Sequence, residues 1–161
     1  MIFVTVGTNE ARFDRLVQAV EALAGSEELV VQHGPSPVRP QGATCVDYLS
    51  FEDLSEHVRR ARVVVMHAGV GSVLAALANG ARPVVVPRLK RFGEAVDDHQ
   101  LTFGRRLHAE GLVELVEDPQ ALPEAAARHE GAFAGAVAVE GRLVDELREF
   151  IRARTGKTRA G

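Results

Sequence analysis

Tryptophan is absent from the 161 residues, and tyrosine and cysteine occur once each. A lone cysteine, Cys45, can form neither an internal disulfide nor a cysteine zinc cluster, which fits a reducing compartment; a small buried hydrophobe is its ordinary role. With so little Tyr and Trp, the stacking platforms that hold single-stranded nucleic acid are missing. A net charge of −3 adds no global attraction to phosphate backbones or anionic membranes. No nucleic-acid partner is expected. The chain also lacks the roughly eighteen consecutive apolar residues of a membrane span. MIFVTVG at the start has neither the basic segment nor the cleavage site of a secretory signal. A cytoplasmic location is the expectation. At 46% hydrophobic and 25% charged residues, the composition is that of an ordinary globular protein, and the length suits one domain.

Four β-branched runs are present: IFVTV (2–6), LVVQH (29–33), VVVM (63–66) and PVVVP (83–87). Consecutive apolar residues rich in Val and Ile predict strands buried on both faces, hence a parallel sheet. Between them Phe13, Leu16, Val17, Val20 and Leu23, and later Val73, Leu74 and Leu77, recur at helical steps. This βαβα alternation predicts an α/β fold, a Rossmann-like doubly wound parallel sheet with helices on both faces. Further expected elements are a short strand at 44–46, a helix over 51–60 opened by Ser50, a helix over 95–110 stopped by Gly111, a strand over 112–116 and a final helix over 137–153. The proline-rich 34–43 is a loop. Residues 1–152 then form the domain and the basic 153–161 a flexible tail.

In an open parallel sheet, ligands sit beyond the carboxyl ends of the strands. GTNE follows the first strand, HAGVGS the third run and RLKRFGEAVDDHQ the fourth. Small residues at a strand-to-helix turn let backbone amides approach an anion, and the helix dipole favours negative charge there. Gly69, Gly71 and Ser72 with His67 could thus cradle a diphosphate; equally, the glycines make a tight turn with Ser72 as its cap. No GxxxxGK[ST] occurs, which excludes a P-loop. A dinucleotide fingerprint fails at Leu74 and at Pro87-Arg88, where a third glycine and an acidic strand tip are required. Glu94, Asp97, Asp98, His99 and Gln100 crowd an expected helix start; carboxylates and amides there suit vicinal hydroxyls, and acidic residues also stabilise a helix start without a ligand. Asp97, Asp98 and His99 diverge by about 100° per residue and cannot close on one metal ion. Arg88, Lys90 and Arg91 are either solvated charges or diphosphate partners. His33 could face the cleft and His57 lies on a helix surface; both are expected to be structural.

These segments, from IFVTVGTNEARFDRLVQAV through VDYLS, ARVVVMHAGVGS and RPVVVPRLKRFGEAVDDHQ to GLVELV, resemble the C-terminal, donor-binding half of glycosyltransferase family 28, one half of a GT-B fold. The resemblance implies a nucleotide-sugar-binding domain for a UDP-sugar, UDP-N-acetylglucosamine or another UDP-hexose, and an inverting hexosyl transfer without metal or other cofactor. Gly7, Thr8 and Asn9 would line the cleft floor, His67, Gly69, Gly71 and Ser72 the diphosphate, and Asp98, His99 and Gln100 the donor sugar, with Arg88 also in reach. Small members of the family work with a membrane-associated, acceptor-binding subunit, and a chain of this length has residues for only one Rossmann-like half. The general base could belong to that partner; Glu94 and His99 are the local candidates. One position departs from the pattern: many relatives carry a ribose-binding glutamate three residues after the Gly-Ser pair, where this chain has Ala75. Losing such a charge-assisted hydrogen bond costs about 1.5 to 3 kcal/mol. A non-catalytic subunit that retains only the fold is the competing reading.

Overall fold

The structure is a computed structural model that describes residues 1–129. Six strands, β1 (Ile2–Thr5), β2 (Leu29–Gln32), β3 (Thr44–Val46), β4 (Val63–His67), β5 (Val84–Val86) and β6 (Glu114–Leu115), form one sheet in the order β3-β2-β1-β4-β5-β6. Every pairing is parallel. The order reverses between β1 and β4, which places the topological switch point, and the crevice it opens, between the first and third β-branched runs. Helices α1 (Asp14–Ala19), α2 (Phe51–Arg60), α3 (Val70–Ala78), α4 (His99–Ala109) and α5 (Leu122–Arg128) cover it.

Alternate residues of the central strands feed two cores. Ile2, Val4, Val65 and Val84 pack with Phe13, Leu16 and Val17 of the α1 region and with α5. Phe3, Val64, Met66 and Val85 pack with α2, α3 and α4 through Val58, Val73 and Phe103. Each fully buried Val, Leu or Phe contributes about 1.5 to 3 kcal/mol, so the sheet is held from both faces.

Local signals set the ends. Ser50 caps α2, its hydroxyl accepting from the Asp53 N–H at 3.0 Å. Gly111 takes φ +74° just past α4, the left-handed geometry its lack of a Cβ permits. The 34–43 segment carries no helix or strand. Four expectations need adjustment. The Phe13–Leu23 pattern splits, with 20–23 a tighter 3-10 turn. The fourth helix begins at His99, not at residue 95, and 112–116 contributes only two strand residues. Cys45 is half-buried, since edge strand β3 has a neighbour on one side alone. The expected helix over 137–153 and the 153–161 tail lie outside the described residues. No helix among the described residues is long and apolar enough to cross a membrane.

Candidate nucleotide-sugar site

At the switch point, Gly7 follows β1 by two residues, and β4 ends in His67 with Gly69 two residues on. The His67 ring fills the gap between the two glycines. A Cβ on Gly7 would lie 2.3 Å from its Cε1, and one on Gly69 2.2 Å from its Nε2. Real Cβ atoms do not approach that closely, so both positions must be glycine while the imidazole stands where it does. Gly7 also has φ +77°. The loop below is pinned by polar residues inside the strands. The Thr5 hydroxyl donates to Gln32 Oε1 at 2.5 Å and accepts from the Gly7 N–H at 3.2 Å, while Gln32 Nε2 donates to the carbonyls of Gly7 and Asp47.

His67 is 8% exposed and its Nδ1 has no hydrogen-bond partner among the described residues. Burial pushes its pKa down to about 4, the Arg88 guanidinium adds to the shift, and the Thr5 backbone opposes it only weakly. The ring is therefore neutral near pH 7 and acts as a hydrogen-bonding group, not as a cation. Beyond it α3 starts at Gly69, which is the N-cap, with no side-chain cap on the exposed amides. Ser72 stands in the first turn and does not cap it, so the tight-turn reading of this serine fails. Thr8 and Asn9 are exposed on the rim, where Asn9 Oδ1 accepts from the Ala11 N–H at 2.7 Å. Together these residues present uncapped amides, a hydroxyl and a neutral imidazole at one crevice, an arrangement suited to an anion.

The segment after β5 is organised differently. Arg88 is fully buried and does not reach out to the crevice as a surface charge. Its guanidinium donates to the carbonyls of Val6 (2.9 Å), Ala11 (2.9 Å) and Arg12 (3.2 Å) and lies 4.7 Å from the centre of the Phe13 ring. Gln100 accepts from the Arg88 N–H at 3.1 Å, so its carbonyl is committed to the scaffold. Glu94 is not at the helix start. It is 5% exposed and held as a fork by Arg15, at 2.9 Å from both Nε and Nη2, while accepting from the Leu89 N–H at 3.0 Å. With both oxygens occupied it is poorly placed to accept a substrate proton. Asp98 is exposed and accepts from the Lys90 N–H at 2.8 Å, closing the segment on itself. His99 contacts Asp97 through Nδ1 and remains half-buried. Lys90 and Arg91 are exposed.

His33 is buried on Asp47 and the Gly34 carbonyl, and His57 is half-buried against Phe3, ring centres 5.0 Å apart; both are structural. Sequence reasoning passed over Arg15, Thr5 and Gln32. The last two carried a signal: each is a polar residue inside a buried apolar run, and they are register partners across β1 and β2.

A 3-2-1-4-5-6 parallel sheet with an anion-suited crevice at its switch point defines a Rossmann-like domain of the kind that makes up each half of a GT-B fold. The chain belongs to glycosyltransferase family 28 as its C-terminal domain, the family model matching residues 1–130. It is 35% identical over 124 residues to the human UDP-N-acetylglucosamine transferase subunit ALG13 and 37% over 123 to that of Mus musculus, 68% of this chain in each case. The matched region spans only 10% of either relative. Among solved structures the fold matches CalG4, the calicheamicin glycosyltransferase (TM-score 0.61, 18% identity, 99% of this chain and 44% of that one), and SnogD from Streptomyces nogalater (TM-score 0.52, 21% identity, 92% and 37%).

Proposed function

We propose that the chain is the donor-binding half of a UDP-sugar-dependent, inverting hexosyltransferase that works with a membrane-associated subunit carrying a lipid-linked saccharide acceptor. The observation that carries this is the His67 ring seated between Gly7 and Gly69 beneath the uncapped start of α3. Burying an imidazole there at the expense of two side chains is understandable if a diphosphate occupies the crevice, its charge met by the amides of the first turn and the Ser72 hydroxyl. Asp98, His99 and the amide end of Gln100 lie at the neighbouring strand end for the sugar. The kinship with UDP-N-acetylglucosamine transferase subunits favours that donor. The general base belongs to the acceptor half, with His99 the remaining local candidate, since Glu94 is occupied.

Ala75 favours the competing reading, a subunit that keeps the fold without transferring sugar, because the usual ribose-binding carboxylate is missing on α3. Calorimetric titration with UDP and UDP-N-acetylglucosamine, with and without a membrane-associated acceptor-binding subunit from the same organism, separates the two. Saturable binding, lost in Ser72→Trp, is expected. No binding under either condition sinks the transferase reading.

A further inference from the structure

A second concave site lies beyond the carboxyl ends of β5 and β6, on the face of the sheet covered by α1. Its volume is about 730 Å³, within the roughly 300–1,000 Å³ of small-molecule sites. The α3 turn that forms the candidate diphosphate site packs on the opposite face, and none of His67, Gly69, Gly71 and Ser72 lines this cavity.

The lining has a particular chemistry. Gln18, Gln120 and Arg91 bring side-chain donors, and Glu117 and Asp118 bring carboxylates. Arg15 and Glu94 neutralise each other at the inner wall, and Glu117 is forked by Arg105 at 2.7 and 2.9 Å from outside the cavity. With those two pairs closed, the remaining charges, Arg91 and Asp118, are one of each sign and offset each other. Phe92 and Pro119 add apolar surface; Phe92 is 53% exposed, and the guanidiniums of Arg15 and Arg91 each lie 4.8 Å from its ring centre and hold it in place. A large side chain left half in water, beside donors and acceptors in near-equal supply, suits a ligand with apolar C–H faces and a rim of hydroxyls.

We propose that this cavity is a second, saccharide-binding site that holds a neutral pyranose oligosaccharide, distinct from the donor crevice. The choice of a saccharide rests on the transferase reading; the cavity and its charge balance do not. Such a site would retain a glycan on the protein independently of nucleotide.

The test is amide chemical-shift mapping on the full chain, titrated with cellobiose and with N,N′-diacetylchitobiose, with and without saturating UDP. Shifts are expected at residues 15–19, 91–92 and 117–120, unchanged by UDP. Phe92→Ala should weaken them about tenfold, and Gln18→Ala, an exposed change with no packing to lose, severalfold, both leaving UDP affinity within about twofold. The proposal is overturned by no shifts up to roughly 50 mM disaccharide, by shifts that UDP abolishes, or by undiminished affinity in both variants. Cavity shifts in a protein that binds no UDP would remove the nucleotide reading and keep this one; UDP binding without cavity shifts would do the reverse.

Discussion

The two regions that build the candidate donor site, the loops after β1 and β4 and the segment after β5, solve the same problem by opposite means. After β1 and β4 the backbone is brought close by subtraction: two glycines make room for one imidazole, which burial keeps neutral. After β5 the backbone is held by addition. Arg88 and Glu94 are drawn into the interior, where the Arg88 Nη atoms donate to carbonyls and Glu94 accepts from an amide N–H and from Arg15, leaving Arg88 Nε without a partner among the described residues. The first leaves amides and a hydroxyl open to a ligand, whereas the second spends most of its polar atoms on itself. In this fold, charge near the crevice is a poor guide to spare hydrogen-bonding capacity. The small-residue loop has the spare hydrogen-bonding capacity, and the charged segment is its scaffold, since the Arg88 guanidinium reaches across to the β1 loop at Val6, Ala11 and Arg12.

Removing the link between the regions should have the largest effect. Arg88→Leu strands the carbonyls it serves, each worth about 1 to 3 kcal/mol when buried unsatisfied, and should lower stability by about 5 kcal/mol in urea denaturation. A loss below about 1 kcal/mol would mean that the charged scaffold is dispensable. Next comes Gly7→Ala, which combines left-handed backbone with overlap onto the His67 ring. About 1 to 2 kcal/mol for the backbone and 1 to 3 for overpacking give about 4 kcal/mol. Gly71→Ala, which meets nothing within 4 Å and lies in α3, should be neutral or stabilise by up to about 1 kcal/mol, and so isolates the steric effect at Gly7.

The remaining effect is in pH. Since the folded pKa of His67 lies at about 4, below the ordinary histidine value of 6.5, the unfolded chain binds the extra proton between those values. The His67 contribution is thus fully present above about pH 6.5 and is lost as pH falls towards 4, about 3 kcal/mol in all. Imidazole resonances of the native protein, followed by NMR, should show His67 neutral down to about pH 5. Titration near 6.5 would mean the ring is not buried as described.

Much of the fold was legible in the chain. Runs such as VVVM are continuous because parallel strands are covered on both faces, and Ser50 and Gly111 act on groups within a few residues of themselves. HAGVGS was legible as a loop for an anion but equally as a turn capped by Ser72, and only the structure shows that Gly69 is the N-cap and that Ser72 stands inside the first turn. Arg88 and Glu94 were misplaced because a charged residue after a strand is solvated unless something distant desolvates and pairs it. Here that partner is Arg15, 79 positions away from Glu94.

By itself, then, the sequence determined the parallel α/β architecture, the glycine positions at the strand ends and the family, all of which follow from hydrophobic period, backbone permissiveness and local motif. Tertiary structure alone decided that His67 is neutral, that Arg88 faces inward, that Gln100 and Glu94 serve the scaffold, and that a second cavity opens beside β6. The reason is that protonation, pairing and cavity shape depend on desolvation and on neighbours brought together by folding, and neither is encoded in adjacent letters.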